Sequence, residues 1–163
     1  MKTSRTVSLL LSATLAIAGA AHADAGHHHA DSGAAVGQPG LMVDVTRTVK
    51  IDMGDNMRFT PANIHVKQGE TVRFLVSNSG KLKHEMVIGS AAQLAEHAAL
   101  MRKMPEMEHD DPNQVTVEPG RNDELVWQFD HAGTVDFACL EPGHYEAGMV
   151  GKIIADPAKA AAN

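Results

Sequence analysis

The chain has 163 residues, a formal charge of −6 with its ten histidines neutral, and a single cysteine. That length supports one domain with its own core, and the acidic balance excludes nucleic-acid binding as a main role. One cysteine excludes an intramolecular disulfide.

Lys2 and Arg5 precede an apolar stretch from Val7 to Ala18 and then Ala21-His22-Ala23. These are the charged, apolar and small-x-small parts of a secretory leader. We expect residues 1–23 to be a signal peptide and the mature protein to be periplasmic. The apolar stretch falls short of the roughly 20 residues that cross a bilayer, and no later segment does better, so no membrane span is expected. Loss of Lys2 and Arg5 with the leader takes the formal charge from −6 to −8.

Residues 24–40 lack apolar periodicity and are expected to form a disordered tether. His27, His28 and His29 on that tether have the composition for capturing Cu(II) or Zn(II) without a fold. If cleavage falls after Ala25 instead of Ala23, His28 becomes the third residue of the mature chain, where the terminal amine, two amides and an imidazole chelate Cu(II) in a plane.

From Leu41 to Asn163 the pattern is that of one all-β domain. Branched or alternating segments run from Val43 through Ile51, then Ile64–Val66, Thr71–Val76, His84–Ile88, Gln114–Val117, Glu124–Phe129, Gly133–Ala138 and Met149–Ile154, divided by turn signals such as Lys67-Gln68-Gly69-Glu70 and Asn78-Ser79-Gly80. Seven or eight short strands predict an antiparallel β-sandwich. One segment differs: Ala91–Lys103 is alanine-rich and predicts a helix, with Ser90 as N-cap and Pro105 as stop. Leu125, Trp127 and Phe129 share one strand face, which assigns Trp127 to the core. His65 and His131 carry no partner pattern. Glu106, Glu108, Asp110 and Asp111 read as a solvated acidic loop.

The chemistry concentrates in Cys139-x4-His144-x4-Met149, between the segments ending at Ala138 and beginning at Val150. Pro142 and Gly143 supply a turn that can bring Cys139 and His144 to one centre. Two histidines, a thiolate and a weak axial thioether are the donor set of a blue-copper site. His84, at the start of a strand after the Asn78–Lys83 loop, is the candidate for the second imidazole. Zinc fits less well, since structural zinc favours more thiolates or histidines over a thioether.

On His84, Cys139, His144 and Met149, and on the segments Lys83–Gly89 and Cys139–His144 with a helical insertion between them, the chain from about Leu41 to Ala155 resembles the cupredoxins. These are the plastocyanin- and azurin-like type 1 copper proteins, and the resemblance is strongest to the CopI-type periplasmic copper-tolerance members. It implies a Greek-key sandwich, one type 1 copper, no enzymatic turnover, and a one-electron carrier linked to copper tolerance that works as a monomer with a redox protein partner. It also implies electron exit through His144. Where many members carry Asn after the first histidine ligand, to brace the two ligand loops, this chain carries Glu85.

His97, Met101, Met104, Met107 and His109 form a second cluster. At helical spacing His97, Met101 and Met104 share a face, open equally to packing on the sandwich and to a second, Cu(I)-favouring site. The alternative function that follows is copper storage or delivery through the tether histidines and this methionine-rich insertion.

Overall fold

The computed structural model describes residues 36–105 and 111–158. Their strands are β1 (Gln38–Pro39), β2 (Arg47–Gly54), β3 (Arg58–Thr60), β4 (Asn63–Lys67), β5 (Thr71–Asn78), β6 (His84–Gly89), β7 (Gln114–Val117), β8 (Asn122–Gln128), β9 (Gly133–Ala138) and β10 (Val150–Asp156). One helix, α1 (Ala91–Lys103), lies between β6 and β7. The strands form two five-stranded sheets, ordered β1-β8-β5-β2-β3 and β4-β10-β9-β6-β7.

Period-two alternation directs the packing. Ile64 and Val66 of β4, Val72, Phe74 and Val76 of β5, and Ile153 and Ala155 of β10 all point into the space between the sheets. The chain has four phenylalanines, and all are buried there. Phe59 meets Phe137 edge-on at 4.8 Å, and Phe74 meets Phe129 at 6.3 Å. Full burial of each contributes roughly 1.5–3 kcal/mol, so this cluster carries much of the fold.

Strand β6 is buried along its whole length because both of its faces are covered. Met86 and Ile88 face the main core, while Val87 packs with Leu94, Ala98 and Met101 of α1 and with Ala138 and Leu140. The helix starts where the sequence predicts: the Ser90 hydroxyl accepts from the Gln93 amide, and the Gln93 side chain accepts from the Ser90 amide.

Three sequence expectations are corrected. The sandwich is mixed rather than antiparallel, since β2 pairs in parallel with β5 and β4 with β10. In each case the chain visits the opposite sheet before returning, so these parallel partners are not consecutive strands. The first long strand begins at Arg47, and Met42–Asp44 form a 3-10 turn that leaves Val43 86% exposed. Residues 36–40, expected in the tether, are fastened to the sheet. β1 pairs with β8, the Gly40 amide donates to the Val126 carbonyl, and the buried Trp127 indole N–H donates to the Val36 carbonyl at 3.1 Å. A buried indole N–H needs an acceptor, and this segment supplies it. Residues 1–23, expected to be a signal peptide, and His27–His29, Met107 and His109 lie outside the described residues.

Gly151 is the second residue of β10, two positions after Met149, and a Cβ there would overlap the Phe137 ring. Gly151→Ala is expected to destabilise the fold by about 1–3 kcal/mol through overpacking, read as a lower urea midpoint at unchanged slope.

Candidate metal centre

Cys139 follows the last residue of β9, and β10 begins at Val150. The eleven-residue link between them, residues 139–149, closes on itself. The Cys139 amide donates to the Met149 carbonyl at 3.1 Å, and the Met149 amide donates to the His144 carbonyl at 3.0 Å. The His144 amide donates to the Glu141 carbonyl across Pro142-Gly143, with Gly143 at φ +87°, which is a type II turn. Gly143 is needed there because a side chain resists that backbone region. From the other sheet, Arg58 donates to the Ala147 carbonyl at 2.9 Å, and from the helix Arg102 pairs with Glu146.

His84 opens β6 and its side chain is fully buried. Asn78, at the end of β5, prepares its approach. The Asn78 amide group donates to the Leu82 and Val117 carbonyls at 2.7 and 2.8 Å, while its oxygen accepts from Gly80. Lys83 pairs with Glu141 at 2.9 Å, linking the flank of His84 to the turn before His144.

These elements bring three donors together. His84 Nδ1 lies 3.2 Å from His144 Nδ1, and Cys139 Sγ lies 3.9 Å from the first and 3.3 Å from the second. A triangle with such edges has its centre about 2.0 Å from each corner, close to first-row metal–imidazole bond lengths. Among the described residues, no other set of three or more His, Cys, Asp or Glu donors converges in this way. Met149 is fully buried in the same apolar cluster as Cys139. The donors present, a sulfur and two imidazoles with a thioether nearby, fit a soft-to-borderline ion such as copper.

Glu85 joins the two halves of the site. Its amide donates to Cys139 Sγ at 3.4 Å, and its carboxylate accepts from the Leu140 amide at 2.9 Å. The bracing position is thus served by a buried carboxyl side chain. Burial pushes the Glu85 carboxyl up to about 7 and the Cys139 thiol up to about 12. It also lowers His144, with the nearby His84 acting in the same direction. His144 is only half-buried, so the site has one imidazole near solvent and one sealed within.

In the second cluster, Met101 is buried against β6 and β9, His97 is half-buried on the helix, and Met104 is exposed at its C-cap. Sequence reasoning did not find the role of Asn78, whose partners are brought to it by the fold. The Asn78-Ser79-Gly80 turn signal marked only the loop.

A two-sheet sandwich with two imidazoles and one thiol converging at its end defines a cupredoxin-type copper protein. The conserved sequence pattern of the copper binding proteins of the plastocyanin/azurin family matches residues 45–156. The chain belongs to that family. It is 50% identical over 136 residues to a protein of Rubrivivax gelatinosus named copper-resistant cuproprotein CopI, covering 83% of this chain and 81% of that one. A Pseudomonas aeruginosa protein of the same name is 38% identical, over 91% of this chain and 97% of its own. Among solved structures, a reduced auracyanin of Roseiflexus castenholzii aligns with TM-score 0.60 at 22% identity, over 69% of this chain and 99% of that one. Auracyanin B aligns with TM-score 0.61 at 19% identity, over 74% of this chain and 96% of that one. Both have the same fold.

Glu85→Ala leaves the Leu140 amide without its acceptor and is expected to cost about 1–3 kcal/mol. Glu85→Gln keeps the acceptor and should cost much less. Urea denaturation of the two metal-free variants checks the difference.

Proposed function

We propose that the chain is a periplasmic one-electron carrier that binds one copper through His84, Cys139, His144 and Met149 and serves copper tolerance. The observation that carries this reading is the donor triangle of 3.2 to 3.9 Å, assembled by backbone hydrogen bonds within a buried end of the sandwich. Copper supplies a one-electron couple between its Cu(I) and Cu(II) states. The protein supplies positions that need little rearrangement between those states. Cys139 Sγ is held by the Glu85 amide, and the loop bearing His144 and Met149 is closed by the Cys139 amide on the Met149 carbonyl and the Met149 amide on the His144 carbonyl. Met149, buried in the same cluster as Cys139, would be the fourth donor. His144, half-exposed, is the point of electron exit to a protein partner.

The tolerance role is supported by the relatives' names, and the export by the leader pattern of residues 1–23. Among the described residues no helix is long and apolar enough to cross a membrane. Carriage rather than turnover is favoured by the neighbours of Cys139, which are Ala138 and Leu140 rather than histidines for a second copper. The domain responsible is residues 41–163, with its edge strand drawn from residues before it.

The Cu(II)-loaded protein is expected to show an intense sulfur-to-copper charge-transfer band. Cys139→Ala should abolish both the band and copper tolerance, while deletion of residues 26–29 should leave both in place. Full tolerance in the Cys139→Ala strain, with loss of tolerance on the tether deletion, would instead assign the function to storage or delivery.

A further inference from the structure

The sealed imidazole of His84 has a second ring nitrogen, and what faces it decides how the first one behaves. His84 Nε2 lies 3.3 Å from Asp55 Oδ1. Neutral imidazole carries a proton on one nitrogen and a lone pair on the other, whereas a carboxylate only accepts. With Asp55 on Nε2, the proton belongs there and the Nδ1 lone pair faces His144 and Cys139.

Asp55 is itself fixed from three directions. It is the first residue of the turn between β2 and β3, closed by the Met57 amide donating to the Gly54 carbonyl at 2.9 Å. Met57 completes that turn at φ 59°, a region usually left to glycine, while its side chain packs on the main core. The Asp55 carboxylate also accepts from the Lys81 amide at 2.9 Å through both oxygens and from the Leu82 amide at 3.2 Å. Gly80 permits this approach, since a Cβ there would overlap Asp55 Oδ1. The backbone donors favour the ionised form and hold Asp55 below the usual carboxylate range.

We infer that Asp55 is a positioning residue of the copper centre: it sets the His84 tautomer and ring orientation, and its negative charge behind the imidazole favours Cu(II) over Cu(I). This rests on the proposed role of His84 as a ligand. A carboxylate behind a ligating histidine fixes the ring and raises its basicity, and loss of such a partner commonly weakens metal binding by about 10–100-fold. The more highly charged ion gains more from the negative charge.

Asp55→Asn tests the charge separately from the geometry, because the amide oxygen can still accept from Lys81, Leu82 and His84. Nitrogen-15 NMR of the metal-free wild type is expected to show His84 protonated on Nε2. In the copper-loaded protein, Asp55→Asn should keep the sulfur-to-copper band and shift the balance toward Cu(I) by about tenfold, a rise of about 59 mV for one electron. Asp55→Ala should give the same rise in potential and also lose the Nε2–H preference in the metal-free state. A wild-type His84 protonated on Nδ1, or an unchanged potential in Asp55→Asn, would overturn the inference. Absence of the sulfur-to-copper band from the wild type would instead overturn the copper reading. The metal-free NMR would then still decide whether Asp55 sets the tautomer.

Discussion

The site depends on a two-way link between the start of β6 and the end of β9. Glu85 gives its amide to Cys139 Sγ and takes the Leu140 amide on its carboxylate, so the strand that carries His84 and the strand that leads into Cys139 are locked in register beyond their own ladder. Without that link the sulfur would lack one of its donors and the Leu140 amide would be buried unpaired, an expensive arrangement in a low-dielectric interior. The remaining pieces attach to it: the closed loop from Cys139 to Met149, the Asn78 knot before His84, and the Lys83–Glu141 pair across the mouth.

Collecting a thiol, two imidazoles and a carboxyl group at one end of a sandwich opposes folding, and the four-phenylalanine core offsets that cost from below. The consequence appears in the thiol. Burial holds Cys139 protonated up to about 12, so a metal must displace that proton to bind. A site of this kind favours ions with high affinity for sulfur, consistent with copper and unfavourable to hard cations. The lone cysteine is therefore kept from solvent by the same packing that prepares it as a donor.

Much of this was legible from sequence because it is local. The N-cap at Ser90, the helix to Lys103, the strands Gln114–Val117 and Gly133–Ala138, and the Pro142-Gly143 turn all declare themselves through patterns within a few residues. What escaped is non-local or too short. β1 and β3 have two and three residues, less than a period-two pattern needs. The parallel pairings follow from chain crossings between sheets. The contacts of Asp55 with His84, and of Glu85 with Cys139 and Leu140, span 29 to 55 positions and leave no spacing to read. Val43 misled for the opposite reason, since its alternation with Val45 imitates a strand in a segment that turns at the surface.

The central claim is that the fold presents one sulfur and two imidazole nitrogens to a single copper and holds them in both oxidation states. X-ray absorption at the copper edge, on the protein loaded with Cu(II) and again after reduction, measures that shell directly. The account predicts one short sulfur and two imidazole nitrogens in both states, with only small changes in bond length. A shell of nitrogen and oxygen alone, or one that exchanges a ligand on reduction, would contradict it.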